Sequence, residues 1–218
     1  MATIAGAKGR RARYGDEMRQ DILQAAREII AEEGAGALSI RGIARRIGYS
    51  APALYEYFDG KEAIAAVLFV DGFGKLAEMM EQIEQAEPNL NARISAMGVA
   101  YRQFALAHPQ EYSLMFGRPI PEFRPSGEQL DVIASRAFAP LQRAFMAGVA
   151  AGVIRPMDPR TAATTAWALM HGLASLEIAG MSGPSPEHML PPEAIAPGHI
   201  PTIYADAMDI LGTAFRAP

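Results

Sequence analysis

Apolar positions along the 218-residue chain recur at steps of three and four nearly from end to end. That is the spacing of one helical face, and no stretch alternates as a half-buried strand would. Met18, Ile22, Ala26, Ile29 and Ile30 form such a stripe over residues 16–33, closed by Gly34 and Gly36. Ile40, Ile43, Ala44 and Ile47 form a shorter one, opened by Ser39 as cap and ended by Gly48, which enters a left-handed conformation without a Cβ clash. In the next helix Ser50 is placed to cap the free N–H groups, Pro52 fits the first turn, and Leu54 and Phe58 bury one side. Phe69, Phe73, Leu76, Met80 and Ile83 then predict a long helix from near Gly60 to about Ala86, stopped by Pro88.

The remainder is also predicted helical. A helix over 91–107 turns Ile94, Met97, Tyr101, Phe104 and Ala105 inward, and His108-Pro109 marks a corner into a short helix reaching Phe116. Pro119, Pro121 and Pro125 make 117–127 a loop. Residues 128–152 read as helix, but Pro140 must kink or split it. Asp158 as cap and Pro159 at the first helical position open a helix continuing to about Ala179. Residues 181–201 hold six of the sixteen prolines and read as an extended surface loop. The last helix, over 202–215, has Ile203, Ala207, Ile210, Leu211 and Ala214 on one side. The expected fold is all-α, with a basic flexible arm at 1–14, a three-helix head at 15–62 and a larger helical body at 63–218.

The head carries the chemistry. A short helix, a Gly-centred turn and a second helix with small residues at its leading end make a helix-turn-helix, whose second helix enters a DNA major groove. The net charge of −4 would argue against nucleic acid, but its distribution does not. Residues 1–62 carry ten Lys/Arg against nine Asp/Glu, and residues 63–218 ten against fifteen. Lys8, Arg10, Arg11 and Arg13 face no acid within the first fourteen residues, where an arm could reach phosphates. With no cysteine, disulfides, thiolate metal sites and cysteine nucleophiles are excluded. Charges interrupt every window long enough to span a bilayer, and residues 1–14 lack the apolar run of a signal peptide. A cytoplasmic protein with no membrane partner is expected.

The segment Ser39–Lys61 resembles the DNA-binding domain of the TetR family of bacterial transcriptional regulators. Ser39, Arg41, Ile43, Ala44, Gly48, Ser50, Leu54, Tyr55, Phe58 and Lys61 stand in the register of that family's pattern. Gly42 departs from it, where an acid is usual, as does Tyr49, where valine is usual. A second, shorter resemblance lies in the body, where Trp167-Ala-Leu-Met-His171-Gly172 is similar to a Trp…His-Gly class of TetR C-terminal domains. The resemblance implies that Ser39, Arg41, Tyr55 and Lys61 hold phosphates; by charge alone, Arg10 and Arg13 of the arm are expected to join them. It also implies that Ser50, Ala51, Pro52, Ala53 and Tyr57 face base edges or thymine methyls. None of these five is an Arg, Asn or Gln able to make bidentate base contacts, so discrimination would rest on apolar contacts, Arg41 and DNA shape. Tyr55 and Tyr57 have the alternative of covering a helix seam, Lys61 that of a surface lysine, and Arg45 and Arg46 read as a solvated face.

The implied partners are a palindromic double-stranded operator, a second copy of the chain and a small apolar effector. The Pro159 helix is apolar on more than one side: Ala166, Leu169, Leu173 and Leu176 on one, Trp167, Met170 and Ala174 on another. With Ile203, Ala207, Ile210 and Leu211 of the last helix it would form half of an intersubunit bundle. Phe73, Met80, Tyr101, Phe104, Met115, Phe116, Phe145, Trp167, Met170 and His171 give the body a Met- and aromatic-rich interior suited to such an effector, or an ordinary core. Two rival classes stay open. An enzyme lacks support, because the four histidines form no metal-ligand pair and no nucleophile or nucleotide motif is present. A helical adaptor without DNA binding, or an activator rather than a repressor, would share this pattern. No cofactor or metal is expected.

Overall fold

The computed structural model describes residues 2–182 and 200–217, with side chains over 13–179, 206–207 and 209–217. The described backbone is helical with no strand, as the periodicity predicts. In order, α1 spans Ala2–Glu33, α2 Ile40–Ile47, α3 Ala51–Leu54, α4 Lys61–Ala86 and α5 Leu90–Ala107. Then come α6 at Pro109–Phe116, α7 at Gly127–Ile133, α8 at Ala139–Ala150, α9 at Pro159–Ser182 and α10 at Ile200–Phe215.

The chain divides into two compact units, residues 1–72 with 110–129, and residues 73–109 with 130–218. The first reaches further than the 15–62 head expected from the sequence. It takes in the first turns of α4 and a later segment comprising α6 and the loop after it. Met18, Ile22, Ala26, Ile29 and Ile30 of α1 are buried, as are Ile40, Ile43 and Ala44 of α2 and Leu54 and Phe58 after the turn. The later segment adds Tyr112, Leu114, Met115, Ile120 and Phe123 to that core.

The segment expected as a flexible arm is instead helical, since α1 begins at Ala2. Its alanines, lysine and arginines are strong helix formers, and they outweigh the scattered glycines. Side chains before Arg13, Arg10 among them, lie outside the described set.

In the second unit α9 packs against α5, α8 and α10. Asp158 caps α9 as its position predicts, accepting from the Thr161 N–H at 2.9 Å and the Thr161 hydroxyl at 2.6 Å. Those bonds hold the Asp158 carboxyl below its ordinary pKa. Pro140 marks a division of its helix, as expected: α7 ends at Ile133, and α8 begins at Ala139 with Pro140 in its first turn. A π-helical turn at Ala134–Phe138 joins α7 to α8 ahead of it. The wider turn accommodates a residue that has no N–H and whose ring would press on the carbonyl one turn back.

The stripe read off the last helix divides in exposure within the single chain. Leu211 and Phe215 are buried, while Ile210 is 69% exposed. The C-terminal end is pinned by backbone bonds from Arg155 N to Phe215 O (2.9 Å) and from Ala217 N to Val153 O (3.1 Å). The 181–201 loop falls almost wholly outside the described residues.

Candidate nucleic-acid interface

The reading head is assembled from local rules. Ser39 is in extended backbone ahead of α2, and its Oγ accepts from the Gly42 N–H at 3.1 Å. Its hydroxyl proton stays available, and Arg41 beside it is exposed. Gly42 fills the third helical position, where a capping acid would sit, and a Cβ there would meet Ser39 Oγ at 2.9 Å. Gly48 closes α2 at φ 75°, so the chain can reverse within a residue, and Tyr49 N donates to Ala44 O at 2.9 Å.

Ser50 takes the cap position of α3 but makes no side-chain capping bond, contrary to expectation. Its exposed hydroxyl is left facing solvent, while its carbonyl accepts from Ala53 N at 3.0 Å. The helix itself is a single turn, continued past Tyr55 by bonds from Tyr57 N and Phe58 N to Leu54 O, both 3.0 Å. Pro52 is exposed, Ala51 and Ala53 half-buried. Tyr55 is 57% exposed and does not cover a seam. Tyr57 is half-buried, and its carbonyl accepts from Arg19 of α1.

The cations divide into partnered and open. Arg46 forms ion pairs with Glu32 at 2.5 Å and Glu28 at 3.5 Å, the solvated face expected of it. Lys61 opens α4 and pairs with Glu122 at 3.4 Å. Arg13, Arg41 and Arg45 are exposed. Tyr14 and Tyr49 place their hydroxyls 3.1 Å apart, tying α1 to the turn between α2 and α3. That bond, chiefly, raises the Tyr49 pKa above the ordinary tyrosine value.

Several residues that hold the head together are not among those predicted. Arg19 lies over the Phe58 ring, 4.2 Å from its centroid. Arg27 bridges α1 to Asp71 of α4 at 2.6 Å. Neither has a sequence signal, because each depends on which helices pack together. Gly60 is the one that could have been found: it is buried, stands just before a helix and adopts φ 126°, which an L side chain rarely adopts.

The residues expected to bind an effector fall into two groups. Met115 and Phe116 belong to the first unit, where a Cβ on Gly72 would meet Met115 Sδ at 2.9 Å and the Phe116 ring lies tilted against Tyr112, centroids 4.8 Å apart. Phe73, Met80, Tyr101, Phe104, Phe145, Trp167, Met170 and His171 belong to the second. There Tyr101 Oη is 3.1 Å from His171 Nδ1, and the Trp167 ring lies between His171 and Phe138, at 5.8 and 6.2 Å. Burial lowers the His171 pKa, so the ring is neutral at physiological pH. A groove of about 500 Å³ opens elsewhere in this unit, between α5, α10 and the turn after α8, lined by Ile94, Val99, Phe145, Ile154, Leu211 and Phe215 among others. Only Phe145 of the expected ligand residues reaches it.

Of the residues expected at a dimer seam, Leu169, Leu173 and Ala207 are half-buried, and Leu176 and Ile210 are exposed. Leu211 is buried within its own chain, and the Ile203 side chain lies outside the described set.

Comparison with known proteins places this head. Residues 22–68 match the family model described as bacterial regulatory proteins, tetR family, and residues 94–192 match a tetracyclin repressor-like C-terminal domain. The HTH-type transcriptional regulator Rv1816 of Mycobacterium tuberculosis (strain H37Rv) is 26% identical over 152 residues, which are 69% of this chain and 65% of that protein. The chain thus spans about two thirds of that relative's length. A protein with unknown function from Rhodococcus sp. RHA1 is similar in structure, with a TM-score of 0.73 and 28% identity over 91% of this chain and 95% of that one. A TetR/AcrR-family transcriptional regulator from Thermobifida fusca shares the fold at a TM-score of 0.62 and 24% identity, covering 92% of this chain and 99% of that one.

Proposed function

The chain belongs to the TetR family of bacterial transcriptional regulators, and on that footing we propose that it is a cytoplasmic repressor that binds a palindromic operator as a homodimer and is released by a small apolar effector. The observation that carries the reading is the head itself. Ser39, Arg41, Ser50, Pro52 and Tyr55 are all exposed on α2, α3 and the turn beyond, while Leu54 and Phe58 are buried beneath them. Polar groups are offered to phosphates and small apolar ones to base edges.

Dimerisation is supported by chemistry on α9 and α10. Leu176 is 50% exposed and Ile210 more so, on helices whose other faces are buried in this chain. One head neutralises few phosphates; two related by a twofold axis span half-sites about one DNA turn apart. Effector release is supported by the Tyr101–His171–Trp167 cluster, which offers polar groups within an apolar surround. An effector shifts DNA affinity only by its differential binding to two states, typically about 1–3 kcal/mol. Repression is favoured over activation because a dimer on its operator blocks polymerase by occupying the site. Sedimentation velocity at micromolar concentration tests the assembly: a dimer is expected, and a monomer there contradicts the proposal.

A further inference from the structure

We propose that Glu122 sets the protein's affinity for DNA by competing with a backbone phosphate for Lys61. The proposal rests on the reading of Lys61 as a phosphate ligand and adds a residue from a distant part of the chain to that site.

The position of Glu122 is built. It lies in the loop between α6 and α7, within the compact unit that holds the reading head. Ile120 and Phe123, on either side of it, are buried, and the Phe123 ring packs edge-on against Phe69 of α4 with centroids 5.4 Å apart. Phe123 N donates to Ile120 O at 3.1 Å, closing a turn whose two middle residues, Pro121 and Glu122, are exposed. The anchors hold the loop against α4 while the turn carries the carboxylate outward. It ends 3.4 Å from the Lys61 ammonium, at the first residue of α4 and directly after the reading head.

A carboxylate and a phosphate oxygen make the same demand on an ammonium: one negative charge at hydrogen-bond range. Glu122 therefore occupies the counter-charge position that a DNA phosphate would take. Its own backbone N–H, and then Lys61, hold its pKa below the ordinary value, so it is ionised at neutral pH. The pair is solvated, with side chains 33% and 60% exposed, and such pairs are weak enough to exchange partners. The consequence is a tuned affinity rather than a block.

The test measures binding to one fixed duplex of random sequence, where phosphate contacts dominate, at several salt concentrations. It compares the native chain with Glu122→Gln, Lys61→Ala and the double variant. Glu122→Gln replaces an exposed acid by its isostere, and unchanged circular dichroism melting confirms the fold. The expected result is binding about three- to five-fold tighter at low salt, with a gain that shrinks as salt screens the solvated pair. In the Lys61→Ala background the same substitution should have little effect. An equal gain in both backgrounds would mean that Glu122 acts only through general charge, and would overturn the proposal. No gain in the native background would overturn it too. If Lys61→Ala alone leaves DNA binding unchanged, the phosphate reading of Lys61 fails first and takes the competition with it.

Discussion

Arg19 of α1 places its guanidinium 4.2 Å from the centre of the Phe58 ring and donates to the carbonyl of Tyr57. One side chain thereby holds both Tyr57 and Phe58 of the segment that follows α3. Arg19→Ala should lower stability by about 1 kcal/mol and weaken DNA binding, because the end of the reading head is no longer held. Arg19→Lys should recover little of either, since an ammonium lacks the planar face. Denaturant unfolding and a DNA titration read the two effects separately.

Tyr55 and Pro52 should separate affinity from specificity. Losing the Tyr55 hydroxyl in Tyr55→Phe removes one bond to phosphate, an expected loss of about five-fold on every sequence. Substituting Pro52 should change which duplexes are preferred while leaving random-sequence binding near its native strength. If both variants behave alike in a binding-site selection, the division of the head into phosphate and base contacts is wrong.

Glu177 is the one buried charged residue among those described, 7% exposed on α9, and Arg102 of α5 meets it with two bonds of 2.6 and 2.7 Å. Arg102→Ala should cost about 3 kcal/mol, because it leaves a carboxylate without its partner in the interior. Replacing both residues with apolar ones of similar volume should recover most of that loss. Thermal melting of the single and double variants checks it.

Much of this architecture was legible in the sequence because its causes are local. The left-handed turn at Gly48, the Asp158 cap and the buried stripe of α1 each follow from a few adjacent residues. The later segment of the first unit was not legible, since Phe123 meets Phe69 and Glu122 meets Lys61 only after the chain returns from α5. Which side of α10 is buried was not legible for another reason. Apolar residues recur at more than one helical spacing in that segment, so periodicity alone cannot choose a face; Leu211 and Phe215 are buried and Ile210 is not. At the interface, the residue types were readable but their partners were not. Lys61 as a cation was evident, and its pairing with Glu122 was not.

His171 gives the second unit a pH dependence of predictable sign. Burial lowers its pKa from the ordinary 6.5, so the unfolded chain binds the proton more readily than the folded one. Stability should therefore fall as pH drops through that ordinary value and level off below the lowered one. His171→Gln should flatten the difference in melting temperature between about pH 7.5 and about pH 5.5. An unchanged difference would mean that other groups carry it.

Selection of bound sequences from a pool of random duplexes, at near-physiological salt, bears on all of the above at once. A sequence-specific homodimeric regulator should enrich a palindrome whose half-sites are about one helical turn apart. A folded protein that enriches no sequence, or only a single unpaired half-site, would contradict it.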